Sequence, residues 1–129
     1  MPGEYSGPDR RKYKRIKVNF MTVYKSGDSL EKIKISQDKE IYALMLDLSE
    51  AGMAVLTEYD IPVASLLDLK FVLPVQNKIT NLNQPVSIVV KGKVRYSKVM
   101  GKDGFRLGIL FTEIGIGERN LIKDFVSNC

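Results

Sequence analysis

Histidine does not occur in the 129 residues, and cysteine occurs once, as the terminal Cys129. These scarcities exclude Ser-His-Asp and Cys-His nucleophile systems, histidine metal sites and thiolate clusters. A lone cysteine also forbids an internal disulfide, which is consistent with a reducing cytoplasm. Long apolar runs are missing as well. None approaches the ~20 residues that span a bilayer, and the N-terminus has no apolar core of the signal-peptide kind. There is no P-loop and no G-x-G-x-x-G; Gly115-Ile116-Gly117 is too short to act as a phosphate fingerprint. No pair of acids is marked by its setting for catalysis. The expectation is a protein that binds rather than reacts, without a metal or cofactor.

What is present has the balance of an ordinary globular domain, with 44% hydrophobic and 27% charged residues. The length fits one domain able to bury roughly two-thirds of its unfolded surface. A net charge of +5 favours a phosphorylated or polyanionic partner. Residues 1–9 hold two prolines and two glycines in a polar context and read as a flexible leader; residues 10–129 read as a single folded domain.

Short apolar or alternating runs predict strands over 18–24, 41–48, 53–57, 66–73, 86–99 and 105–111. Ile33 and Ile35 alternate with lysines as a short exposed strand or irregular arm. Pro74 is expected to stop its strand, residues 76–85 to form a polar loop, Gly92 to mark a bulge, and residues 100–104 to make a hairpin turn. After Gly117 the period changes: Leu121, Ile122, Phe125 and Val126 recur at helical spacing, predicting a helix of about ten residues that lays this stripe on the barrel core or, alternatively, on a partner. Six strands joined by turns, followed by one helix, predict an all-β protein: a small six-stranded antiparallel barrel with a C-terminal α-helix.

Two stretches carry chemistry. Between the second and third strands stands Asp47-Leu48-Ser49-Glu50-Ala51-Gly52, with the spacing D-x-S-x-x-G. Asp47 offers acceptors only, Ser49 both a donor and acceptors, and Gly52 permits positive φ or close approach by a ligand. The same residues would also serve as a plain turn. Ahead of the first strand, residues 10–17 hold six basic side chains, among them Arg10 and the R-x-x-x-R pair Arg11 and Arg15. The guanidinium fork suits phosphate and the N7/O6 edge of guanine, and it stacks on a base. A basic run also reads as a solvated face.

Taken together, these motifs resemble the PilZ domain, a family of bacterial receptors for cyclic di-GMP. Gly92-Lys93-Val94-Arg95-Tyr96 is similar to the family's G-x-V-x-W strand, with Tyr96 where Trp is frequent. Gly108-Ile109-Leu110-Phe111 is similar to its last strand. The resemblance covers residues 10–126 and implies that Arg11, Arg15, Asp47, Ser49 and Gly52 hold cyclic di-GMP, with Tyr96 the less certain member. It implies a switch in which ligand orders the basic segment and thereby regulates an unidentified protein partner in motility, polysaccharide or biofilm control. Arg10, directly before the pair, implies an intercalated dimer of ligand; its alternative is a solvated charge. Two further readings stand beside this one: a nucleic-acid-binding β-barrel using Tyr13, Tyr24 and Tyr96, and a PilZ-like interaction module without nucleotide.

Overall fold

Strand-forming residues with period-two burial make up most of the chain. The computed structural model describes residues 13–27, 30, 35–36, 38–76, 79–80 and 82–128. The strands are β1 (Ile16–Ser26), β2 (Ile41–Ser49), β3 (Gly52–Thr57), β4 (Leu66–Gln76), β5 (Asn83–Val99) and β6 (Phe105–Glu113), and the helix α1 spans Ile116–Ser127. All neighbours are antiparallel, and the order β1-β2-β3-β6-β5-β4 closes into a barrel. Closure gives each strand two partners and removes the exposed edges of an open sheet.

The inward residues of alternate positions meet in one core, which includes Tyr24, Met45, Leu48, Met53, Val55, Leu69, Ile88 and Leu107. The helix adds Ile122 and Val126, both buried, and sets Phe125 against Phe20 of β1 with centroids 5.8 Å apart. The apolar stripe therefore covers the core, as its spacing predicts. The helix begins two residues earlier than expected, at Ile116, and Gly117 lies inside its first turn.

Three local expectations need correction. Pro74 does not end β4. It sits inside the strand, opposite Pro85 of β5, so the expected loop begins after Gln76 and ends before Asn83. β1 pairs with β4 only as far as Phe71, and β6 meets β5 only from Lys91 onward. Beyond those points β4 and β5 form a two-stranded ribbon whose outer edges are unpaired, where a residue without an N–H is tolerated. Ile35 is not exposed: it bridges Leu30 and is buried in the core, while Ile33 lies outside the described residues. The bulge expected at Gly92 is present, at the register shift between Lys91 and Gly92.

One buried polar pair crosses the barrel wall. The hydroxyls of Tyr24 and Thr57 lie 2.7 Å apart. Burial pushes the Tyr24 phenol up to about 12, partly offset by that hydrogen bond. The unfolded chain releases this proton near pH 10 while the native state keeps it until about 12, so its stabilising contribution is complete below pH 10 and is lost as pH climbs to about 12. Tyr24→Phe is expected to lower stability at pH 7 by about 1 kcal/mol and to flatten the decline across that alkaline window. Denaturant melts from pH 8 to 12 check both.

Candidate ligand-binding site

The site is built by two β-bulges. Residues paired across an antiparallel ladder point to the same face. Met45 and Val55 pair inward, and so do Leu48 and Met53. Between these pairs β2 carries one extra residue, so Asp47 pairs with Ala54 instead of following Met45 into the core. Such an insertion re-aims the side chains that follow it. β5 repeats the device. Val94 pairs inward with Ile109, the next register shifts, and Tyr96 faces Gly108 on the outside. The outcome is an outer row running Lys17, Asp47, Ala54, Gly108, Tyr96 across β1, β2, β3, β6 and β5.

Ala54 and Gly108 are the small members of that row, and the space above them is filled from the sides. The Tyr96 ring lies over Gly108, where any side chain on the glycine would overlap it. Arg106, on the same outer face of β6, reaches across to Asp47. Its Nη2 donates to Asp47 Oδ2 at 2.9 Å and its Nε donates to the Tyr96 hydroxyl at 3.3 Å. Bonds to Tyr96 first, and to Asp47 after it, raise the Arg106 pKa above its ordinary value against the opposing effect of burial. On the other side, Arg15 Nη1 donates to Asp47 Oδ1, which also accepts the Ala54 N–H at 3.1 Å. A carboxylate that is only 6% exposed needs such partners, since an unpaired buried charge is strongly destabilising. Arg15 Nε is buried and has no acceptor among the described residues.

The remaining motif residues are placed as follows. Ser49 is buried and turned into its own loop: its hydroxyl accepts the Ala51 N–H at 3.1 Å and faces the Gly52 carbonyl at 3.4 Å. Gly52 does not have positive φ. Its backbone runs so close to β6 that a Cβ would overlap the Ile109 carbonyl oxygen, so the close approach it permits in this structure is by a strand. Arg10 and Arg11 lie outside the described residues. An open groove of about 250 Å³ runs over this region, lined by Arg15, Gly52, Arg95 and Tyr96 with the backbone of Ala51 and Gly108. It brings residues of both motifs and of the Gly92–Tyr96 strand to one place. A larger cavity of about 470 Å³, between the β4–β5 ribbon and α1, is lined among the described residues by Asp124 and no cation, which makes it a poorer host for phosphate.

Arg106 was not singled out by the sequence reading. An acid flanked by Leu46 and Leu48 in a strand calls for a cationic partner, but only the pairing of β3 with β6 shows that Arg106 is within reach.

The sequence matches the family model of the PilZ domain over residues 9–128. The chain belongs to the PilZ domain family. Solved structures agree on the fold. The PilZ domain of YcgR from Escherichia coli, determined with c-di-GMP, superposes with a TM-score of 0.58 at 15% identity, covering 92% of this chain and 90% of that one. Bacillus subtilis MotI/DgrA, an inhibitor of motility, gives a TM-score of 0.72 at 17% identity over 92% of this chain. The chain spans 50% of that protein's length. The PilZ domain of CeSA from a cellulose-synthesizing bacterium gives 0.58 at 13% identity, covering 88% and 95%. A search of curated proteins finds no match. Among the described residues of this PilZ domain, no cluster of three or more His, Cys, Asp or Glu could hold a metal ion, and no helix is long and apolar enough to cross a membrane.

Proposed function

We propose that this PilZ domain is a cyclic di-GMP receptor that binds the nucleotide over the groove and signals by rearranging its N-terminal basic segment. The reading rests on one observation: Arg15, which lines the groove, is in contact with Asp47, from a motif far apart in sequence. A dinucleotide with two phosphates and two guanines calls for guanidinium forks, acceptors and close backbone. Among the described residues Arg15 Nε has no acceptor, Arg11 belongs to the same motif, and Gly52 lines the groove without adding a side chain to it. Ser49 holds the turn on which Asp47 and Gly52 stand. Tyr96 adds an aromatic edge beside Arg95. In this reading residues 10–129 act as one domain behind a leader of residues 1–9, in the cytoplasm, where the nucleotide is made.

Two contacts support an output through α1. Arg119 donates from Nε to Glu50 Oε2 at 3.2 Å, and from Nη2 to the Tyr13 hydroxyl at 3.5 Å, with its guanidinium 5.8 Å from the Tyr13 ring centroid. Glu50 lies within the D-x-S-x-x-G turn, and Tyr13 lies between Arg11 and Arg15 in sequence. Ligand that draws the arginines over the groove would disturb both contacts, and a protein partner reading α1 would register the change. An order-to-order or disorder-to-order step of this kind is a common switching device. The partner regulates motility, polysaccharide or biofilm formation in this reading.

Titration calorimetry with cyclic di-GMP tests the proposal, with GMP and GTP as controls. Saturable heat with the cyclic dinucleotide alone, and a shallow dependence on salt, is expected. A steep salt dependence with any polyanion would favour the nucleic-acid reading instead. The same titration measures stoichiometry. Arg10 precedes the R-x-x-x-R pair, so two nucleotides per chain are expected, falling to one in Arg10→Ala. A wild-type ratio of one, or a ratio of two unchanged in the variant, refutes a role for Arg10 in holding a second molecule.

A further inference from the structure

Asp47 has two cations, and they are not equivalent. Arg106 stands within strand β6, approaches Oδ2 alone, and is held from behind by the Tyr96 hydroxyl. Arg15 precedes the first residue of β1, shares Oδ1 with the Ala54 N–H, lines the open groove and has a buried Nε without an acceptor among the described residues. If Arg15 turns toward a ligand, Asp47 keeps one cation on Oδ2 and one backbone donor on Oδ1. If Arg106 were removed, Arg15 would be the only cation left on Asp47 among the described residues, and releasing it would leave a buried carboxylate without either counter-charge, which is strongly unfavourable.

We propose that Arg106, positioned by Tyr96, is the permanent counter-ion of Asp47, and that this frees Arg15 to exchange from the carboxylate to the ligand. Tyrosine is fitted to this in a way tryptophan is not. A phenol oxygen accepts a hydrogen bond from a guanidinium, whereas an indole N–H only donates. The aromatic residue at position 96 therefore acts through its hydroxyl on Arg106, while its ring occupies the space over Gly108. Arg106 does not line the groove, so it acts through Asp47 and is a positioning residue.

The inference rests on the cyclic di-GMP reading for its binding readout, but it also has one that needs no ligand. In thermal melts of the empty protein, Arg15→Ala is expected to lower Tm slightly, Arg106→Ala to lower it more, and the double variant to lose more than the sum, because the last counter-charge has gone. Additive losses, or a larger loss for Arg15→Ala, overturn the assignment. In calorimetry with cyclic di-GMP, Arg106→Ala is expected to weaken binding by roughly 2- to 150-fold, the span of coupled neighbours. In an Asp47→Ala background, where affinity is already reduced, the same change should cost little more, since there is no carboxylate left for Arg106 to neutralise. An equal loss in both backgrounds means that Arg106 touches the ligand itself and overturns the positioning role. Tyr96→Phe should show part of the Arg106 loss, and Tyr96→Trp should not restore it; a tryptophan variant that binds as well as wild type shows that position 96 works by stacking, and overturns the hydroxyl's part. Wild-type protein that gives no heat with cyclic di-GMP removes the nucleotide reading, and the melting cycle then decides the counter-ion assignment by itself.

Discussion

Arg15→Ala is expected to weaken cyclic di-GMP binding by roughly 5- to 150-fold while melting close to the wild-type temperature. The range corresponds to the ~1–3 kcal/mol of a bidentate guanidinium contact to a base edge. The small stability change follows from the geometry. Asp47 retains Arg106 at 2.9 Å and the Ala54 N–H at 3.1 Å when Arg15 is truncated, so no buried charge is stranded. Calorimetry paired with a thermal melt checks both halves. Unchanged affinity in a folded variant refutes the place given to Arg15 at the ligand.

Asp47→Ala should behave in the opposite way, with a large cost in stability accompanying the loss of binding. Removing the carboxylate leaves two guanidiniums, Arg15 and Arg106, facing each other across Ala54, and leaves the Ala54 N–H without its acceptor. Breaking a fully buried pair costs about 3–5 kcal/mol. The arginine side chains here are 27% and 30% exposed, so solvent relieves part of the repulsion. A loss of about 2–3 kcal/mol is the expectation once that relief is included. Asp47→Asn keeps an oxygen for the Ala54 N–H and should recover roughly half of the loss, by the worth of one buried hydrogen bond. Urea melts of the two variants separate charge from hydrogen bonding. Equal stability of Asp47→Ala and wild type would reduce the central motif to an ordinary turn.

Much of the fold is legible in the residues because the rules that govern it are local. Alternation in the runs around Ile41, Leu66 and Ile88 reports which side of a strand faces the core. The stripe of Leu121, Ile122, Phe125 and Val126 does the same for a helix. What escapes these rules depends on pairing between distant strands. Pro74 reads as a stop because proline lacks a donor, yet it stands beyond Phe71, where the pairing of β4 with β1 has already ended. Arg106 reads as one more exposed cation, because its neighbour β3 is nearly fifty residues away in sequence. The motif residues themselves are legible as types. Their division of labour is not. Asp47 faces two arginines, Ser49 faces its own loop, and Gly52 clears a path for the backbone of Ile109.

The bulges at Asp47 and Tyr96 make the site a matter of parity. One residue too many in β2 and one in β5 turn a carboxylate and an aromatic ring from the inside of the barrel to its surface. Leu46 and Arg95 thus matter by being counted as well as by their side chains. A chain whose β2 ran straight past Leu46, without the bulge, would still spell D-x-S-x-x-G, with every letter of the motif intact. Its aspartate would point at Met53 and Val55 in the apolar interior, and its Leu48 at solvent. Two relatives can therefore share the motif letter for letter and differ in whether they possess the site, and the bulge just before the aspartate is what tells them apart.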